Sequence, residues 1–282
     1  MGVQNNLHLI LDIISSIAIQ RDSQKLLDLF FRSVIKTTNS DAGSLYYFEN
    51  DECVLIYDFN NQLDYYHKHT DSNVKVMENQ DCLLSTCLSQ KKVINIQDMN
   101  NNKTYDCQCF KEKYADQGYQ VISLLTVPIA GKDDNISGIL QLANTKNHLG
   151  EIVPYTKEAE LIVSSLSSLA AVSLSNISYL KETKELLNSL VSVTATAIDE
   201  RSPYNANHTR NVARFVAEFT DFLNRQYQLG NYHEYFDENR KEQLILAAHL
   251  HDIGKIVTPL SIMNKSTRLG RKIETIHNRL KL

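Results

Sequence analysis

The residues best placed to do chemistry stand in AAHLHDIGKI, residues 247–256. His251 and Asp252 are adjacent, Gly254 follows, and Lys255 adds a cation. The segment KEQLILAAHLHDIGK reads as a helix on which Leu244, Ala248 and His251 share one face. His251 is therefore expected to point inward, with Asp252 about a quarter-turn further round. Gly254 suits the end of that helix. An inward imidazole beside a carboxylate carries an unpaired buried charge unless a cation sits there. A divalent metal meets that need, and imidazole with carboxylate suits iron, manganese or zinc. A second histidine, His208, opens another helical stretch, residues 207–229. There His208, Val212, Phe215, Phe219 and Phe222 recur at helical spacing. His208 thus heads an apolar stripe and is expected to face the interior. Taken alone, such a histidine fits a hydrogen-bonded core residue better than a ligand.

These residues need elements to hold them. Residues 7–19 and 23–37 read as helices, the second with the stripe Leu26, Leu27, Phe30, Val34 and Ile35 and with Ser23 able to cap its start. Asn39, Ser40, Asp41 and Gly43 break it. SLYYFE and CVLIYDF follow as strands joined through Asn50 and Asp51. A polar stretch, 60–80, precedes the short helix DCLLSTCLSQ and the strand KKVINI. VISLLTVPI and SGILQLANT are apolar strands separated by GKDDNI as a hairpin turn. From Thr156 onward the chain looks helical, until Pro203 ends the connecting helix. The order predicts an α+β domain with an antiparallel sheet. Along 157–200, Leu166, Leu169, Ser173, Asn176, Leu180, Thr183, Leu187, Leu190, Thr194 and Ala197 form a heptad seam. It predicts a parallel homodimer through this helix, against a single helix packed on its own sheet. Polar seam positions let two helix registers lie close in energy.

Composition excludes other classes. A chain of 282 residues with net charge −4 and pI ≈ 6.1 has room for two domains and carries no basic run for nucleic acid. The N-terminus lacks a cationic region and does not read as a signal peptide. LIVSSLSSLAAVSLSNISYL (161–180) is long enough to span a bilayer, but its serines fit a helix–helix interface better. Cys53, Cys82, Cys87, Cys107 and Cys109 are odd in number and irregular in spacing, as expected of reduced thiols in a cytoplasmic protein. His67 and His69 are expected in an exposed polar loop.

SDAGSLYYFEN and GYQVISLLTVPIAGKDDNISGILQLANT resemble a GAF domain over about residues 22–178. The resemblance implies a small-molecule or dimerising sensor with an unknown ligand. At the positions of the cyclic-nucleotide signature stand Asn144, Thr145, Tyr155, Ala159 and Glu160, and three depart from it. Tyr155 and Glu160 are expected to pack and cap the following helix. SPYNANHTRNVARF and AAHLHDIGKIVTPLSIMNK resemble the HD phosphohydrolase superfamily, in its HD-GYP branch. That resemblance implies metal ligands at His208, His251 and Asp252, with Asp252 bridging two divalent ions, iron or manganese. Lys255 would hold a phosphate oxygen. Tyr204, where some members carry a carboxylate, argues for two metals rather than three. The implied reaction is metal-assisted phosphoester hydrolysis, with cyclic di-GMP the favoured substrate. The branch's further histidines and its H-H-E…D-G-x-G-Y-P segment are not found after Lys255, and His277 on a charged stretch is no candidate ligand. The organisation expected is an N-terminal helix (1–21), a GAF sensor (22–178), a helical coupler (179–200) and a partial all-α HD domain (201–282) lacking half of its site. The alternatives are a non-catalytic dimeric GAF signalling protein and an HD hydrolase of other nucleotides.

Overall fold

A computed structural model describes residues 2–49, 52–68, 82–105, 107, 118–131, 135–200, 207–263 and 272–281. The chain divides into two compact units, Met1–Tyr179 and Leu180–Leu282. In the first, α1 (Gly2–Ile19) and α2 (Ser23–Thr38) precede β1 (Ser40–Glu49), β2 (Glu52–Asn60) and β3 (Tyr65–Lys68). Next come α3 (Cys82–Gln90), β4 (Ile94–Ile96), β5 (Leu124–Ala130) and β6 (Ile136–Thr145), then α4 (Lys157–Glu200). The strands form one antiparallel sheet in the order β3-β2-β1-β6-β5-β4. Residues 50–51 and 132–134, where two of the expected turns fall, lie outside the described residues.

Strand alternation sends apolar residues to both faces of the sheet. On one, Leu45, Tyr57, Leu125, Val127, Leu140 and Leu142 pack with the helical residues Ile17, Phe30, Phe31, Leu166 and Ala170. On the other, Tyr46, Leu124 and Ile139 pack with Leu83 and Leu84 of α3 and with Tyr119. At Gly138 a Cβ would lie 2.3 Å from the Tyr46 carbonyl oxygen, so β6 crosses β1 closely only with glycine. Helix α2 is capped by Asp22, whose carboxylate accepts from Lys25 N–H at 2.9 Å, and not by Ser23. It ends on Asn39, left-handed at φ 49°. His67 is exposed as expected, but it stands on strand β3, opposite Asp58, rather than in a loop.

Helix α4 runs unbroken for 44 residues. By length and composition it is the one helix among the described residues that could cross a membrane. Its first half instead buries Val163, Leu166, Ala170, Ala171 and Leu174 in the sheet core. Leu166 and Ser173 are buried in their own chain, so the expected seam does not extend over them. Residues 178–190 are exposed on every side.

The second unit contains the end of α4, α5 (His208–Gln228), α6 (Glu238–Leu250), a 3-10 turn (Ile253–Ile256), α7 (Leu260–Met263) and α8 (Lys272–Leu280). Small residues let α5 and α6 pack: Ala213 and Thr220 are buried on α5, and Ala248 on α6. The expected inward stripe is corrected here. Phe215 and Phe219 are 59% and 60% exposed, and Phe222 is also exposed. Periodicity identified an apolar face, but no other element covers it among the described residues. Residues 201–206, with Pro203 and Tyr204, lie outside them.

Candidate metal centre

A helical hairpin brings the candidate ligands to one end. Asn224 of α5 clamps Phe236: its amide donates to the Phe236 carbonyl at 2.8 Å and accepts from the Phe236 N–H at 2.8 Å. Lys241 of α6 reaches Asp221 of α5 at 2.5 Å. His208 lies sixteen residues before Asn224, and His251 fifteen after Phe236. At about 1.5 Å per residue, both histidines return to the same level of the hairpin. Their rings meet edge to face with centroids 5.3 Å apart.

Asp252 is the hub. Its Oδ2 lies 3.2 Å from His251 Nε2, 3.9 Å from His208 Nε2 and 2.5 Å from Lys255 Nζ. His251 Nδ1 donates to the Ala248 carbonyl at 2.7 Å. That bond selects the tautomer whose Nε2 lone pair faces Asp252. Ligand atoms at about 2.0–2.2 Å from a first-row divalent ion lie about 3.0–3.5 Å from one another. The His251–Asp252 pair already has that spacing, and the half-exposed His208 ring falls short by a small side-chain adjustment. One ligand atom from each of the three lies within 4.8 Å of the others. Two imidazoles and a carboxylate fit a divalent ion and leave coordination positions open.

Burial differs from expectation. Asp252, with its side chain 18% exposed, is the most enclosed of the three, whereas His208 and His251 are exposed rather than inward. Among the described residues the histidine-bearing end of the hairpin is open to solvent. Gly254 is not a left-handed helix cap either. It lies in the 3-10 turn without positive φ, and a Cβ there would meet nothing. His277 is exposed on α8 and outside the cluster. Two residues escaped the sequence reading. Asp199 in the last turn of α4 and Thr209 beside His208 are buried and hydrogen-bonded to each other. No sequence signal pointed to the pair: Asn207 reads as an ordinary N-cap, and only its left-handed backbone, with no side-chain cap bond, leaves that role to Asp199.

In the first unit, Tyr155 packs as expected, buried with its hydroxyl 2.7 Å from Ser40 Oγ. Burial pushes that phenol far above its ordinary range. Glu160 does not cap α4; Thr156 does, accepting from Ala159 N–H at 3.1 Å. Glu160 accepts from Asn95 of β4 and from Lys157. Burial would raise its carboxyl, but these two bonds hold it below the ordinary range. The Asn144 amide is consumed by Tyr119, Gln120, Ile122 and Ser123. One polar row crosses the sheet in register, Asp58–Ser44–Gln141–Thr126. Gln141 Oε1 is buried with no hydrogen-bond partner among the described residues. Burial pushes the Cys87 thiol up to about 12, which makes it inert. Cys109 lies outside the described residues.

The GAF domain model matches residues 22–174, just over half of the chain, and the HD domain model matches residues 205–280. Comparison with curated proteins finds no match. Among solved structures, the GAF domain of a phosphoenolpyruvate-protein phosphotransferase from Coxiella burnetii is 16% identical, with TM-score 0.46, over 64% of this chain and 99% of its own. Its counterpart from Acinetobacter is 14% identical, with TM-score 0.45, over 62% and 95%. A GAF domain/HD domain protein from Geobacter sulfurreducens is 16% identical, with TM-score 0.39, over 59% and 98%. The HD domain implies divalent-metal binding and a place among sensor-linked phosphohydrolases. The chain belongs to the GAF domain family, and an HD domain follows its GAF domain.

Proposed function

We propose that this is a GAF-regulated, metal-dependent phosphodiesterase that takes cyclic di-GMP and uses two divalent ions, iron or manganese. The observation that carries the reading is the convergence of His208 Nε2, His251 Nε2 and Asp252 Oδ2 beside Lys255. Bound there, a divalent ion supplies Lewis acidity toward a phosphoryl oxygen and lowers the pKa of a water. The chain's own residues do the rest. Ala248 fixes the His251 ring, and Asp252 would supply its carboxylate to the ions. Asp252 also holds the Lys255 ammonium beside the site, where it can meet a phosphate oxygen and the charge that develops on it.

The sensor side rests on the buried polar row of the sheet, which could meet a polar ligand through Gln141. Output is proposed to pass through α4 as a parallel homodimer coil. Leu180, Leu186, Leu187, Leu190 and Val193 are exposed along one face of that helix, opposite Glu185 and Ser192. The free, buried thiol of Cys87 favours a cytoplasmic protein. A second reading is a dimeric sensor whose HD segment is not catalytic; among the described residues three ligand groups converge.

Manganese- or iron-loaded protein is tested for metal content and for hydrolysis of cyclic di-GMP and of mononucleotides. His251→Ala and Asp252→Ala should each lose metal and abolish turnover. Turnover unchanged in either variant sinks the catalytic assignment. Metal binding without hydrolysis of any nucleotide selects the sensor reading, and a mononucleotide preference removes cyclic di-GMP.

A further inference from the structure

We infer that Asp199 is a positioning residue for the metal centre. It is a carboxylate on the coupling helix that seats His208 by capping the helix on which His208 stands. The inference rests on the reading of His208 as a ligand. Helix α5 begins without a side-chain cap of its own. Asn207, at its N-cap, is left-handed at φ 65° and makes no side-chain cap bond. The first N–H groups of a helix need acceptors, ordinarily from the N-cap side chain to the second or third residue. Here the acceptor comes from another helix. Asp199 accepts the Thr209 N–H at 3.1 Å and the Thr209 hydroxyl at 2.6 Å. Thr209 is the second residue of α5 and the immediate neighbour of His208. Both partners are buried, Asp199 at 7% and Thr209 at 1% exposure. A carboxylate at a helix start also meets the positive end of the helix dipole, and its hydrogen bonds are charge-assisted.

His208 is therefore one peptide unit from a residue held twice by α4. Its Nε2 stands 3.9 Å from Asp252 Oδ2, so a shift of about 1 Å at the start of α5 separates one ligand from the other two. Loosening the last turn of α4 would release His208 and leave His251 and Asp252 in place. The coupling helix thus has a defined handle on one ligand of the three.

The test uses the full chain, titrated with Co²⁺ by visible absorbance, with amide hydrogen exchange followed over residues 207–212. The variants are Asp199→Asn and Thr209→Val, both near-isosteric, Thr209→Ser, which keeps the hydroxyl, and His208→Ala. Circular dichroism checks that each is folded. Asp199→Asn and Thr209→Val should each weaken Co²⁺ binding about tenfold and speed exchange at the start of α5. Thr209→Ser should restore both. Faster exchange with unchanged Co²⁺ affinity, while His208→Ala weakens binding, overturns the positioning role and leaves a cap alone. Unchanged exchange and affinity in both variants overturn it entirely. Unchanged binding in His208→Ala removes the ligand reading itself, and with it the positioning role, while exchange still reports separately whether Asp199 caps α5.

Discussion

The Nδ1–H of His251 is committed to the Ala248 carbonyl, and the free edge of that ring faces the same Asp252 oxygen that Lys255 holds. Lys255 and a metal would therefore compete for negative charge at one atom. The lysine neutralises Asp252 but contributes no ligand. With both side chains partly exposed, the ion pair contributes about 1 kcal/mol or less. Lys255→Met is thus expected to raise Mn²⁺ affinity up to about fivefold in a calorimetric titration, while lowering any hydrolysis. A fall in affinity would show that Lys255 builds the site. Adjacency and helical spacing are local properties, and they placed His251, Asp252 and Lys255 together; His208 joined them through the resemblance to the HD superfamily. The sequence misjudged how far the histidines are buried because burial depends on what covers an apolar face, and spacing carries no information about that. Asp199 was missed for a related reason: its partner lies ten residues away on another helix, and capping across helices leaves no fixed spacing to read.

At the scale of elements, every long stretch with a clear period became the element expected, and the errors fell at edges and caps. Strand β3 was hidden in a polar segment because an edge strand paired on one side needs no apolar alternation. The seam along α4 divides in two. Its first turns bury Leu166, Ala170 and Leu174 in their own sheet, while over residues 178–190 the helix is exposed all round and rich in leucine. A helix segment without tertiary cover gains little from propensity alone, so a second copy across those leucines would supply the missing burial. Leu187→Glu combined with Leu190→Glu should convert a dimer into a monomer in analytical ultracentrifugation. Two charges forced into an apolar seam weaken association by at least about a hundredfold. Monomer at all concentrations in the parent chain would exclude the coil. The same substitutions should leave the first unit's unfolding unchanged, because neither leucine belongs to its core.

For the whole molecule, the family matches and the division of the chain describe one arrangement: a sensor fold, a long helix, and a helical unit with an open cluster of metal-ligand groups. Each unit has its own buried residues, so heat should unfold the chain in two resolvable steps. Metal binds through residues of the second unit alone, and linkage stabilises only what binds. At Mn²⁺ a hundredfold above its dissociation constant the gain is about 2.7 kcal/mol. For a unit of this size that raises the midpoint by about 10 °C or more. Differential scanning calorimetry should show this shift in the second-unit transition, its reversal by chelator, and its absence in His251→Ala. Any accompanying movement of the first-unit transition measures what α4 transmits, since linkage makes coupling reciprocal. A sensor that controls the metal centre requires that second movement to be nonzero in the parent and to shrink in Asp199→Asn. A shift confined to the second unit, unaltered by Asp199→Asn, would mean that the metal centre and the GAF domain share a chain without exchanging a signal.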